Sequence, residues 1–297
     1  MSFSSEVKTE LLSIENTPCC EHAMNYGILL FGRSFSVTEF SFLTENSDIA
    51  SAYCEAFRYF TGENITPSVT AGGKYKILIE DKDLIHKIID KTDMITSSGK
   101  RRVNFANFRD NCCFSAFIRG AFLACGTVTN PEKEYHLEFS VSTKGLCEDI
   151  IKIFNEYDPT PKMTRRGGSY TVYFKNSTDI EDVLSIMGAT ESSLKFMGAK
   201  VFKDIRNTVN RKVNFENANL ARTIAAASKQ YEAIALIKEK AGFDALPEDL
   251  REIAQIRYAD RELSNSEIAK MLSVDITVSG VNHRFKRILK IAEELKK

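Results

Sequence analysis

Two largely apolar blocks, about Cys20 to Phe31 and Cys113 to Cys125, predict helices that must be covered on more than one side, and each is the natural partner of the other. The same series of elements follows each block. An extended segment (Ser36 to Leu43; Tyr135 to Ser142) leads to a second helix (Asp48 to Tyr59; Gly145 to Phe154). A hairpin with a Gly-Gly turn comes next (Ser68 to Ile79; Lys162 to Phe174), and a short helix closes the unit (near Lys82 to Lys91; Ile180 to Met187). The pattern changes near the C-terminal end. Leu246-Pro247-Glu248 starts a helix that presents Leu250, Ile253, Ala254 and Arg257 at helical spacing. Ser264 and Glu267 form a capping box ahead of Ile268, Ala269 and Leu272. Val281, Phe285, Ile288 and Ala292 then mark one buried stripe on a helix from Ser279 to about Leu295. A short helix, a turn and a longer helix with one polar face make a helix-turn-helix. Its turn, Ser273 to Val278, is longer than the tight form and lacks glycine.

The first two thirds of the chain are a duplication. Cys19, Cys20, Ala23, Gly27 and Leu30 recur as Cys112, Cys113, Ala116, Gly120 and Leu123, all displaced by 93 positions. Glu39-Phe40-Ser41 recurs as Glu138-Phe139-Ser140, and Thr66-Pro67 with Gly72-Gly73 recurs as Thr160-Pro161 with Gly167-Gly168. Glycine inside a helix costs about 1 kcal/mol relative to alanine, so Gly27 and Gly120 at matched positions predict that the two helix backbones approach closely there.

The run Phe117-Ile118-Arg119-Gly120-Ala121-Phe122-Leu123-Ala124-Cys125-Gly126 resembles the central helix motif of LAGLIDADG homing endonucleases, with a degenerate first copy at Asn25 to Arg33. The duplicated unit followed by a helix-turn-helix resembles the WhiA family of bacterial sporulation and cell-division regulators, over nearly the whole chain. The resemblance implies an α+β fold: a duplicated LAGLIDADG-like αββαββα domain followed by an all-α helix-turn-helix domain. It divides the chain into repeat 1 (residues 1–92), repeat 2 (93–200), a basic linker (201–225) and a DNA-binding domain (226–297). Segment Asn210 to Ala227, with Asn214, Asn217, Asn219 and Arg222, then leads into the second domain.

Homing endonucleases of this fold carry an acidic residue near the end of each central helix, because Mg²⁺ needs hard oxygen ligands there. Gly32 and Cys125 stand at the matching positions here, and Glu21, Glu39 and Glu138 lie on other turns or strands. No catalytic residue and no nuclease activity are therefore expected. Adjacent cysteines lack the C-x-x-C spacing of zinc ribbons, so Cys19-Cys20 and Cys112-Cys113 read as packing residues, with no metal and no cofactor expected.

Net charge is zero, so any nucleic-acid footprint has to be local. No acid occurs from Pro159 to Thr178 or from Ile276 to Ala292, and the span Lys195 to Lys212 holds six bases against Asp204 alone. The expected DNA contacts are Ser279, Asn282, His283, Arg284, Lys286 and Arg287 of the last helix, the types that reach phosphates and base edges in a major groove. Lys162, Arg165 and Arg166 of the second hairpin add phosphate contacts.

With 43% hydrophobic and 27% charged residues, the composition is that of an ordinary globular protein. Its longest apolar stretches fall short of the roughly 18 residues of a membrane span, and the N-terminus lacks a signal-peptide layout. Seven cysteines without an even framework fit a reducing compartment. The expectation is a cytoplasmic, nucleoid-associated, sequence-specific DNA-binding protein. Its partners are double-stranded DNA and other regulatory proteins, not a membrane, and the resemblance implies roles in transcription regulation, cell division, chromosome segregation or sporulation. A residual metal-dependent endonuclease and a protein-interaction scaffold are the alternatives.

Overall fold

A computed structural model describes residues 2–296, apart from the side chain of Arg166. The chain divides into two units, residues 1–204 and 205–297. The first contains the duplication. Its first copy runs α2 (Pro18–Leu30), β1 (Ser34–Phe35), β2 (Phe40–Thr44), α3 (Ser47–Thr61), β3 (Ser68–Val69), β4 (Tyr75–Ile79) and α4 (Lys82–Thr92). The second runs α5 (Asn111–Cys125), β5 (Gly126–Val128), β6 (Leu137–Val141), α6 (Lys144–Phe154), β7 (Lys162–Arg166), β8 (Ser169–Phe174) and α7 (Ser177–Met187). Each copy builds one antiparallel sheet with the same strand order, β1-β2-β4-β3 and β5-β6-β8-β7. Alternation within the strands sends one face inward. Phe40, Phe42, Ile77 and Ile79 in the first sheet, and Leu137, Phe139, Val141, Val172 and Phe174 in the second, are buried in one core with the inner faces of α3 and α6.

Helices α2 and α5 lie against each other at the centre, and the paired glycines are the reason. A Cβ on Gly27 would stand 2.6 Å from the Phe117 carbonyl oxygen, and one on Gly120 would stand 2.2 Å from that of Met24. No side chain fits at either position. A helix that the apolar pattern does not reveal, α1 (Phe3–Leu12), precedes the first copy. Ser2 caps it, and it buries only Val7 and Leu11.

The long helix α8 (Thr190–Ala241) continues from the first unit into the second. Residues 201–225, expected as a linker, are helical throughout and almost entirely exposed. In the second unit the end of α8 packs with α9 (Glu248–Ala259), α10 (Asn265–Met271) and α11 (Val278–Glu294). Leu250, Ile253 and Ala254 of α9, Ile268 of α10, and Val281, Phe285, Ile288 and Ala292 of α11 close the core with Ile234 and Ile237 of α8. Among the described residues, no helix is long and apolar enough to cross a membrane.

Candidate nucleic-acid interface

The C-terminal unit is organised around a buried cation. Arg257 of α9 is 1% exposed, and its Nε donates to Gln230 Oε1 of α8 at 3.1 Å. Its Nη1 donates to the carbonyls of Arg261 and Leu263, and its Nη2 to Asn265 Oδ1 at 2.9 Å, while the guanidinium lies over the Phe285 ring of α11. Burial lowers the pKa of this group, and the fan of acceptors keeps the charge solvated by protein instead of water. One side chain thus ties α8, the α9–α10 loop, α10 and α11 together.

The turn between α10 and α11 is fixed at both ends. Both carboxylate oxygens of Glu252 accept from Ser273, one from its backbone N–H and one from its hydroxyl, each at 2.8 Å. Thr277 caps α11 by accepting from the Gly280 N–H, so the helix begins one residue earlier than Ser279. The capping box of Ser264 and Glu267 is present on α10, and these bonds hold the Glu267 carboxyl below its usual pKa.

The buried stripe of α11 turns its opposite side outward. Ser279, Asn282, His283, Lys286 and Lys290 are all exposed, and their spacing of three, one, three and four puts them on a single face. Asn282 Oδ1 accepts from Asn265 Nδ2 at 2.7 Å, which links this face through Asn265 to Arg257. The other two expected residues differ from these in burial and pairing. Arg284 is half-buried beside the apolar stripe, and Arg287 is paired with Asp249 at the start of α9.

The hairpin bases are divided by strand alternation. Lys162 pairs with Tyr173 in register and projects from the open face of the sheet. Arg165 pairs with Tyr170 on the opposite side and lies over that ring, 5.5 Å from its centroid. Arg166 ends β7, and its side chain lies outside the described residues. The open face of this sheet also carries Thr127, Glu138, Ser140 and Thr171, with His136 Nε2 and Glu138 Oε2 paired at 2.9 Å. The equivalent face of the first sheet presents Ser41, Leu43, Lys76 and Leu78. Among the residues just named, each strand face offers one lysine.

At the C-terminal ends of the central helices, next to Gly32 and Cys125, two cations cover backbone carbonyls. Nη1 of the buried Arg101 donates to the carbonyls of Leu30 and Gly32, at 2.9 and 2.7 Å. Lys8 Nζ donates to the Leu123 carbonyl at 3.2 Å, and burial lowers the pKa of both cations. A cation suits this end, where unpaired carbonyls concentrate negative potential. Desolvation pushes the Cys125 thiol up to about 12. Sequence reasoning missed Arg101 and Lys8, because each acts on backbone carbonyls remote in sequence, and it placed Arg257 on the inward stripe without its hydrogen-bond partners. The four cysteines read as packing residues are brought together: their sulfur atoms all lie within 4.8 Å of one another at the opposite end of α2 and α5.

Comparison with known proteins accounts for both units. The model of the WhiA LAGLIDADG-like domain matches residues 114–206, and that of the WhiA C-terminal HTH domain matches residues 209–292. Across all of this chain, the probable cell division protein WhiA of Caldicellulosiruptor saccharolyticus is 34% identical with 96% of its length covered. Its counterpart in Ruminiclostridium cellulolyticum is 35% identical with 99% covered. The crystal structure of full-length DUF199/WhiA from Thermatoga maritima superposes with a TM-score of 0.60 at 27% identity, over 99% of each chain. A degenerate LAGLIDADG-like duplication and a helix-turn-helix joined in one polypeptide, with such relatives along its full length, make this chain a member of the WhiA family.

Proposed function

We propose that this chain is a sequence-specific DNA-binding protein and transcriptional regulator, acting in cell division, chromosome segregation or sporulation, that reads duplex DNA with α11 and does not cleave it. The observation that carries this reading is the exposed face of Ser279, Asn282, His283, Lys286 and Lys290 on a helix whose other side is fixed in a core. Lysine supplies charge to phosphates, and asparagine can form a bidentate pair with adenine from the major groove. Arg284 and Arg287 flank that face, where Arg287 can exchange Asp249 for a phosphate. Lys162, Arg165 and Arg166 act as secondary phosphate contacts in this reading. Binding of this kind keeps the protein on the nucleoid, in the cytoplasm.

The non-enzymatic part of the proposal is supported by Gly32 and Cys125, which supply no carboxylate, and by Arg101 and Lys8, which already satisfy the helix-end carbonyls. Two-metal hydrolysis needs oxygen ligands in a defined geometry, and a fixed guanidinium repels a divalent ion. Supercoiled plasmid incubated with the purified chain and Mg²⁺ tests this directly. Gel retardation without conversion to nicked circles is expected, and accumulation of nicked circles overturns the non-nuclease assignment.

A second role, docking other regulatory proteins, is favoured by exposed apolar residues on α8. Phe202, Ile205, Val209, Val213, Leu220 and Ile224 recur at helical spacing with no cover among the described residues.

A further inference from the structure

The two cysteine pairs hold equivalent places in the duplicated fold. Cys19 and Cys20 follow Pro18 in the first turn of α2, and Cys112 and Cys113 follow Asn111 in the first turn of α5. Because Gly27 and Gly120 let the two helix backbones touch, the first turns converge. All four sulfur atoms lie within 4.8 Å of one another, with Cys19 Sγ and Cys112 Sγ 3.9 Å apart. Four thiolates around Zn²⁺, with Zn–S bonds of about 2.3 Å, span tetrahedral edges of about 3.8 Å. The observed spread needs only a small contraction to reach that figure, whereas a disulfide requires about 2.05 Å.

We propose that Cys19, Cys20, Cys112 and Cys113 form a four-sulfur site for one Zn²⁺ ion, which pins the two repeats together at the N-terminal end of their central helices. Adjacent cysteines lack the C-x-x-C spacing of a ribbon-type site, which is why the sequence argued against metal. Two such pairs facing each other from two helices complete a donor set that neither repeat holds alone. Binding releases four thiol protons and leaves a cluster of net charge −2. The first turns of two helices suit that charge, since their free N–H groups and positive dipole ends converge on it. Thr17 Oγ1 already lies 3.4 Å from Cys19 Sγ, in position to donate to the thiolate.

Exposure separates this set from ordinary packing cysteines. Cys112 is exposed, Cys19 and Cys20 are half-buried, and only Cys113 is enclosed, so an ion has access from solvent. The site is structural and distinct from the degenerate nuclease centre. It lies about 18–20 Å away, 12 to 13 residues along each helix at 1.5 Å per residue, and offers soft sulfur in place of carboxylate oxygen.

The test uses the full chain, purified under reducing conditions without chelator. Elemental analysis is expected to find one zinc per chain. Titration of the metal-free reduced protein with Co²⁺ is expected to give the sulfur-to-metal charge-transfer bands of a tetrahedral thiolate site, which Zn²⁺ then abolishes. Cys112→Ser is expected to weaken Zn²⁺ binding by more than the roughly 10–100-fold that loss of an outer-shell partner costs, while Cys54→Ser leaves it unchanged. The Co²⁺ spectrum of the unsubstituted chain decides the matter even if a serine variant fails to fold. Reduced protein that binds neither ion overturns the site. So does a spectrum that persists at equal affinity in Cys112→Ser.

Discussion

Single residues in this protein do work that their sequence neighbours do not advertise. Arg257 falls within a helical stripe of apolar positions, and its place in the sequence says only that it faces inward. Four acceptors from three separate segments converge on it in the structure. Replacing it with alanine leaves several buried acceptors unpaired. Arg257→Ala is expected to cost on the order of 3 kcal/mol, read as a lower denaturant midpoint, with Arg257→Lys recovering only part because one ammonium cannot span the same fan. An unchanged midpoint in both variants would show that the hub is dispensable. Arg101 and Lys8 were hidden for a related reason: their partners are main-chain carbonyls, and any sequence supplies those. Arg287 illustrates the opposite limit. The acid-free run around it marks it as available for phosphate, yet Asp249, 38 residues earlier, takes it up.

Among the elements, the most legible were those that occur twice. A helix, an extended segment, a helix, a hairpin and a helix could be read in each copy, and matching elements lie at those places, except that residues 36–39 turn between β1 and β2 and that β1 and β5 were not expected. Gly27 and Gly120 predicted a close helix crossing, and the distances to Phe117 and Met24 give its cause. Gly120→Ala is expected to force the helices apart and to cost about 1–3 kcal/mol or more, measured by thermal or denaturant unfolding. Wild-type stability in that variant would contradict the packing described. A smaller effect is expected at Ser264, whose capping box was also plain in sequence: Ser264→Ala should cost about 1 kcal/mol. Less legible were α1 and the middle of α8. Helix α1 buries two residues at a spacing of four, too few to stand out as a stripe. Residues 201–216 include Asn207, Asn210 and Asn214, of poor helix propensity, and almost all are exposed, so no buried face announces the helix there.

For the whole molecule, the two units differ in the residues that they present. The strand faces of the duplicated unit carry Lys76 and Lys162, and cations cover backbone carbonyls at the C-terminal ends of the central helices. The exposed face of α11 carries His283, Lys286 and Lys290. That contrast was only half visible in the sequence, because the alternation that puts Lys162 and Arg165 on opposite sides does not say which side the core covers. The most direct test of the resulting division of labour is a salt-titrated anisotropy measurement on duplex DNA. It compares the full chain with Lys286→Ala/Lys290→Ala and with Lys76→Ala/Lys162→Ala. Loss of two phosphate contacts lowers the slope of log K against log salt by about two. The account predicts that fall for the α11 pair and little change for the strand pair. A reduced slope in the strand pair, with the α11 pair binding as the unsubstituted chain does, would contradict it.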